Sequence, residues 1–369
     1  MIPVNTPLLD GNEKKYLLEC IETGWISSEG PFVREFESLF AARCGRKHGV
    51  AVCNGTAALD AAVEALGIGP GDEVIMPAFT IISCVGQIVR NGGVPVLIDS
   101  DPATWNMDVA QIESRITPRT KAIMIVHTYG LPVDVDPLLE IARRHGLAVI
   151  EDAAEMHGQT YKGRPCGSFG DISTFSFYPN KHITTGEGGM ILADDGVLAE
   201  DCRSLRNLCF QPHKRFVHER LGWNLRMTNL QAALGLAQLE RLDEFVARKR
   251  RMGARYTAAL SALPGVRLPL ARTDYADNVY WVFGLVLEND GGIDAEEAMR
   301  RLTAEGVGTR PFFCPMQLQP VLRRMGLFSQ DSHPVSEHLY KRGFYIPSGL
   351  ALTDSDIDRV VDAVWKVLG

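Results

Sequence analysis

One lysine stands where chemistry could be done. The stretch Thr174–Met190 reads TFSFYPNKHITTGEGGM, with Lys181 between a strand-like run and a glycine cluster. Small and apolar residues alternate through Ser173-Thr174-Phe175-Ser176-Phe177, the period of a half-buried strand, and Pro179-Asn180 breaks it. A lysine walled by glycines at a strand end gives up its proton more readily than an exposed one, because burial disfavours the ammonium. The neutral amine is a nucleophile that condenses with aldehydes. Two further features lie upstream. Asn54-Gly55-Thr56 joins a strand pattern, Gly49–Cys53, to an amphipathic helix, Ala57–Leu66. Free backbone N–H groups and the positive end of the helix dipole converge there on one anion-sized spot. Asp152 follows the apolar run Leu147–Glu151, and Asp99 holds the same place after Val96-Leu97-Ile98. Singly, these features read as a surface lysine in a turn, an N-cap and two helix caps. Jointly, the cup, the acid at Asp152 and the amine at Lys181 match one cofactor. Pyridoxal phosphate needs an anion site, a carboxylate for its ring nitrogen and a lysine for its aldehyde.

The elements that must position these residues alternate. Strands are expected at Glu73–Met76, Val94–Ile98, Lys121–Val126 and Leu147–Glu151, with helices near Ile81–Arg90, Val109–Arg115 and Asp136–His145. Repeated βαβ units imply a mostly parallel sheet between helices, which binds ligands beyond the carboxyl ends of its strands. Two helices precede this series, from Glu13 to Glu22 and over Pro31–Cys44, the second with Phe32, Phe36, Leu39 and Phe40 on one face. Leu198–Leu208 reads as a further helix, and a capping box at Thr228-Asn229-Leu230-Gln231 opens a long one reaching about Leu260. That helix divides a large α/β domain, residues 1–240, from a smaller α+β domain, residues 241–369. The second domain holds a strand over Val279–Leu287, a helix over Ala295–Glu305 and a terminal helix from about Ser355.

Bulk composition narrows the function. A chain of 369 residues exceeds what one core usually supports, and a net charge of −7 argues against nucleic-acid binding. The run Arg248-Lys249-Arg250-Arg251 reads as a solvated helix face. The eight cysteines form no CxxC pair, as expected of reduced thiols in a cytoplasmic protein. No apolar run has membrane-spanning length, and the first residues carry no basic leader. Neither HExxH, GxSxG nor a P-loop is present, so metal hydrolysis and acyl transfer have no local support.

The chain is also similar to a known family. Asn54–Leu59, Glu151-Asp152-Ala153-Ala154, Ser173–Met190 and Gly222–Asn229 resemble the motifs of the nucleotide-sugar aminotransferases, pyridoxal-phosphate enzymes with the aspartate-aminotransferase fold, type I. The subgroup it most resembles is the GDP-perosamine synthases, supported by Trp25-Ile26-Ser27-Ser28, Phe175–Tyr178 and Thr309-Arg310-Pro311. This resemblance implies that Lys181 binds the cofactor covalently and that Asp152 pairs with its ring nitrogen. It implies Gly55, Thr56 and Ser176 at the phosphate, with Asn224 reaching it from the other subunit of a homodimer. Three positions depart from the family pattern. Glu155 replaces a common Gln near the ring hydroxyl, Ile81 replaces a stacking aromatic so that either this aliphatic packs on the ring or Phe79 substitutes, and Gln317 replaces a histidine.

The implied substrates are L-glutamate and a nucleotide-linked 4-keto-6-deoxy sugar. A diphosphate needs cations, and the candidates are His213, Lys214 and Arg215, with Arg220 and Arg310. Relatives that remove the sugar's C3 hydroxyl carry histidine in place of the lysine. Here His182 neighbours Lys181 without replacing it, which favours amination. A non-catalytic regulator would be expected to append a DNA-binding segment, and none is visible. A UDP-sugar, a dTDP-sugar or a cyclitol ketone are the competing acceptors.

Overall fold

In the computed structural model, which describes residues 1–211, 213–289 and 292–369, two sheets organise the chain. The strands are β1 (His48–Val52), β2 (Glu73–Pro77), β3 (Val94–Ile98), β4 (Thr120–Val126), β5 (Ala148–Asp152), a short hairpin of β6 (Thr160–Tyr161) and β7 (Arg164–Pro165), β8 (Ile172–Ser176), β9 (Gly189–Ala193), β10 (Val266–Arg267), β11 (Phe283–Leu287), β12 (Arg310–Pro311) and β13 (Gly343–Ile346). The helices are α1 (Glu13–Thr23), α2 (Pro31–Arg43), α3 (Gly55–Ala65), α4 (Ser83–Arg90), α5 (Val135–His145), α6 (Gly196–Arg206), α7 (Asn229–Leu239), α8 (Leu242–Leu260), α9 (Ala295–Ala304), α10 (Pro320–Arg324), α11 (Pro334–Arg342) and α12 (Asp354–Leu368).

The large sheet has the order β1-β9-β8-β5-β4-β2-β3. From β8 through β3 all neighbours are parallel, and β9 runs against both of its neighbours. Side chains alternate across it, as the pleat requires. Ile123, Ile125 and Val149 pack toward α5, while Ala122, Met124 and Ile150 join the core under α3 and α4. The strands are apolar on both faces because helices cover both faces. The small sheet, β10-β11-β13-β12, is antiparallel and packs its own core with Tyr256, Leu302 and Val360. The start of the chain runs between the two sheets. Ile2 bridges Val307, the carbonyl of Val4 accepts the Ser348 N–H at 2.9 Å, and Asn5 Nδ2 donates to the Pro179 carbonyl at 2.8 Å.

Five expectations change. The long helix from Thr228 divides at Glu240-Arg241, where Arg241 (φ −111°, ψ 12°) leaves helical geometry and its guanidinium pairs with Glu244 and Asp10. As a result α7 packs on α1 and α2, and α8 on α12. Val109–Arg115 forms two single 3₁₀ turns, because the Asp108 carboxylate takes the Ala110 N–H and Gln111 Nε2. The strand expected from Val279 starts only at Phe283: Tyr280 has φ +49°, which no strand allows. The basic run is not a solvated face. Lys249 is 1% exposed, Arg250 is half-buried, and only Arg251 lies fully on the surface. Within α2, Leu39 is exposed while Phe32, Phe36 and Phe40 are buried. All eight cysteines are free, six of them buried.

Candidate active site

The carboxyl ends of β1, β5 and β8 open onto one cavity of about 740 Å³. Gly55, Thr56, Asp152, Glu155, Ser176 and Lys181 all line it. At β1, the Asn54 side chain caps α3 by accepting the Ala57 N–H at 2.8 Å. The Gly55 and Thr56 N–H groups have no partner within the helix, as at any helix start. A Cβ on Gly55 would lie 2.7 Å from Ser176 Cβ, so this wall admits only glycine. Thr56 Oγ1 and Ser83 Oγ are 2.8 Å apart beside it. Amides, hydroxyls and a helix N-terminus thus face the same space, an arrangement that suits a phosphate.

Asp152 ends β5 and is 3% exposed. One carboxylate oxygen accepts the Ala154 N–H at 3.0 Å and the other takes the Cys84 thiol at 3.4 Å. Burial holds its pKa above the usual carboxylate range, with the Ala154 bond and Lys181 acting the other way. Glu155 lies one turn on. It accepts the Tyr129 N–H at 2.6 Å and stands 4.0 Å from Lys181 Nζ. Burial pushes it up to about 8 against the pull of Lys181. Lys181 has a side chain 10% exposed. Burial lowers its pKa, and Glu155, Asp152 and Cys84 oppose that shift. Its Nζ sits 3.8 Å from the centroid of the Trp281 ring. A buried carboxylate short of a cation, a neutralisable amine and a glycine-walled anion cup therefore share one cavity. These features fit a phosphorylated pyridine aldehyde.

Comparison with known proteins agrees. The model of the DegT/DnrJ/EryC1/StrS aminotransferase family matches residues 7–365. The chain belongs to the DegT/DnrJ/EryC1/StrS aminotransferase family. Among its relatives, the GDP-perosamine synthase of Caulobacter vibrioides is 47% identical over 368 residues, covering 100% of this chain and 98% of the relative. That of Escherichia coli O157:H7 is 40% identical, covering 98% and 97%. Of solved structures, the aminotransferase TlmJ from Streptoalloteichus hindustanus superposes with a TM-score of 0.93 at 32% identity, covering 100% of this chain and 99% of that one. S. venezuelae DesV gives 0.89 at 35%, covering 96% and 94%. The fold expected from the sequence, with a large mostly parallel α/β sheet and pyridoxal phosphate as the family's cofactor, is the fold and cofactor of these relatives.

Other sequence candidates lie apart from this aminotransferase cavity. Within one chain none of His213, Lys214, Arg215 and Arg220 lines it. The Arg215 guanidinium stacks 4.9 Å from the Phe210 ring, and Arg220 pairs with Asp201 of α6 at 2.5 Å. Asn224 is exposed and bridges Asn207 through its backbone. Arg310 comes nearer, on β12 opposite Tyr345, a cavity residue. Of the two stacking candidates, Ile81 lines the cavity and Phe79 is wholly buried against Tyr129, Phe312 and Phe313. Gln317 is buried and not among the lining residues. His182 is also absent from the cavity wall; its Nε2 lies 3.3 Å from the Val279 carbonyl. The aromatic wall of Trp281, Phe313 and Tyr345 escaped the sequence reading. Trp281 falls where a regular strand was expected, and only Asn278, whose side chain accepts the Tyr280 N–H, marks the bend.

Proposed function

We propose that this aminotransferase moves the amino group of L-glutamate to C4 of a GDP-linked 4-keto-6-deoxy sugar, converting GDP-4-keto-6-deoxymannose to GDP-perosamine. The observation that carries the reading is the shared cavity of Lys181, Asp152 and the Gly55-Thr56 cup. End-to-end similarity to relatives named GDP-perosamine synthase supports the acceptor.

Lys181 Nζ would hold the cofactor, Asp152 would face its ring nitrogen, and Gly55, Thr56 and Ser176 would hold its phosphate. Bound there, pyridoxal phosphate supplies an electron sink for the substrate carbon that loses its proton. The buried Asp152 carboxylate would favour a proton on the ring nitrogen, because only two donors, the Ala154 N–H and the Cys84 thiol, draw on its oxygens among the described residues. Lys181, neutral once displaced, would accept at Nζ the proton from the amino-acid carbon and would be the group that returns it to the cofactor's own carbon. Glu155, carrying a proton near neutral pH, can donate it to an oxygen beside Lys181. Ile81 would cover the ring as an aliphatic lid.

We further propose a homodimer in which Asn224 and the loop bearing His213, Lys214, Arg215 and Arg220 enter the partner's cavity. Their absence from the cavity lining of their own chain motivates this. Residues 1–240 would form the cofactor-binding domain and 241–369 the smaller one. Mixing Lys181→Ala with an inactive Asn224 variant should then restore activity in heterodimers; no recovery despite demonstrated subunit exchange would refute shared sites.

The substrate is tested by stopped-flow measurement of the two half-reactions, with glutamate and with GDP-, UDP- and dTDP-linked keto sugars. Charge-assisted bonds to phosphate contribute about 1.5–3 kcal/mol each. Arg215→Ala or Arg310→Ala should raise KM for the sugar nucleotide by roughly tenfold or more and leave the glutamate half unchanged. Slowing of the glutamate half alone would refute the diphosphate role. Far better amination of a UDP- or dTDP-sugar would refute GDP while keeping the aminotransferase.

A further inference from the structure

The basic run on α8 and the indole at position 281 have no role in that reading, yet they meet behind Lys181. The Trp281 ring is 4% exposed and lies against Lys181 Nζ, 3.8 Å from the ring centroid. Its indole N–H donates to the carbonyl of Asn180, the residue before Lys181, at 2.8 Å. The ring is thus tied to the backbone of the lysine whose side chain it faces. Trp281's own carbonyl accepts from Lys249 Nζ at 2.8 Å, and the same Nζ donates to the Ser348 carbonyl. Tyr280, at φ +49°, turns the chain so that residue 281 enters the cavity wall before the strand begins.

We propose that Trp281 is a positioning residue for Lys181, a plate that fixes where Nζ stands and favours its ammonium, and that Lys249 fixes the plate from behind. The role in catalysis rests on Lys181 being the cofactor lysine, but the placement does not. A buried ammonium without an acid partner is costly to desolvate, and a hydrocarbon would fill the same channel at less cost. Among the described residues Lys249 has only carbonyls as partners, and burial, with Lys181 as a second cause, pushes its pKa down to about 7. Its placement is explained by joining Trp281 to the Gly343–Ile346 strand's exit at Ser348. The aromatic face attracts a cation and so opposes the burial that favours a neutral amine. The other charged or titratable groups that bear on Lys181 are Asp152, Glu155, Cys84, His157, His182 and Lys249. The two acids favour the ammonium; His157 and His182 are held neutral by burial.

The test is competitive acylation of the full chain, freed of cofactor, with acetic anhydride across pH, read peptide by peptide by mass spectrometry. The exposed Lys14 serves as internal standard. Trp281→Leu removes the plate. The pH midpoint of Lys181 labelling should fall by about one unit, so that below the midpoint Nζ is acylated roughly tenfold faster. Trp281→Phe keeps an aromatic face and should shift the midpoint less than about half as far. An unmoved midpoint in Trp281→Leu, or an equal shift in both variants, overturns the proposal. If Trp281→Leu does not fold, Trp281→Met takes its place as the non-aromatic variant, and a midpoint identical to wild type there overturns the proposal. Lys249→Met should also lower the midpoint by loosening the plate. A rise there, the effect of losing a like charge alone, would remove Lys249 from the role. Labelling requires neither cofactor nor substrate, so failure of the proposed function would not alter the readout.

Discussion

Asp99 and Asp152 occupy the same place in the sheet, each at or just past the carboxyl end of a buried parallel strand, and their surroundings differ sharply. Asp99 is saturated. It accepts the Ser100, Val335 and Ser336 N–H groups and the Ser336 hydroxyl at 2.6 to 3.1 Å, and so caps α11. Asp152 accepts one N–H and one weak thiol. An ionised carboxylate has room for about four donors, so Asp152 keeps acceptor capacity that opens on a cavity. Position in the fold offers a carboxylate to both sites. What decides between scaffold and chemistry is how many donors the neighbours supply.

The largest effect should come from removing the unsaturated acid. Asp152→Ala is expected to lower kcat about a thousandfold, corresponding to roughly 4 kcal/mol in the transition state, with the chain still folded. Asp152→Asn, which keeps the shape and loses the charge, should cost nearly as much. A mild effect of either on single-turnover rate would show that another acid does this work. Asp99→Ala should do the reverse, costing about 2 kcal/mol in a urea titration through stranded donors at α11, with turnover per folded molecule unchanged. Asp99→Asn, still a good cap, should lose less than about 1 kcal/mol. Equal loss of activity in the Asp99 and Asp152 variants would end the distinction.

The smallest effect sharpens the comparison by pH. Glu155 shares the donor-poor side, and its folded pKa, about 8, lies above the usual 4.5. Its contribution to stability is therefore complete below about pH 4.5 and is lost as pH rises through about 8. The cofactor-free chain should melt progressively lower from pH 5.5 to 8.5 relative to Glu155→Gln, by a few degrees. Parallel melting curves for the two proteins would count against a protonated Glu155.

How legible this was in the sequence follows from the same contrast. Strand ends, the glycine cup and the lysine turn are local patterns, and they single out Lys181, Asp152, Gly55 and Thr56, which line one cavity. Donor counts are not local. Asp99 and Asp152 look alike until Val335 and Ser336 arrive from the other end of the chain. Lys249 looked solvated because its neighbours are arginines, and nothing nearby reveals that the Trp281 and Ser348 carbonyls converge on it. The break at Arg241 was hidden for a related reason. No glycine or proline marks it, and Asp10, which helps hold it, lies far upstream.

The strand of contacts made by the first residues sets an order of events. Ile2 can bridge Val307, and Val4 can meet Ser348, only after most of the chain has left the ribosome. Such late loop closures are slow steps in folding. Residues 2–5 are then among the last to dock, and they link the small sheet to the turn that carries Lys181 through Asn5.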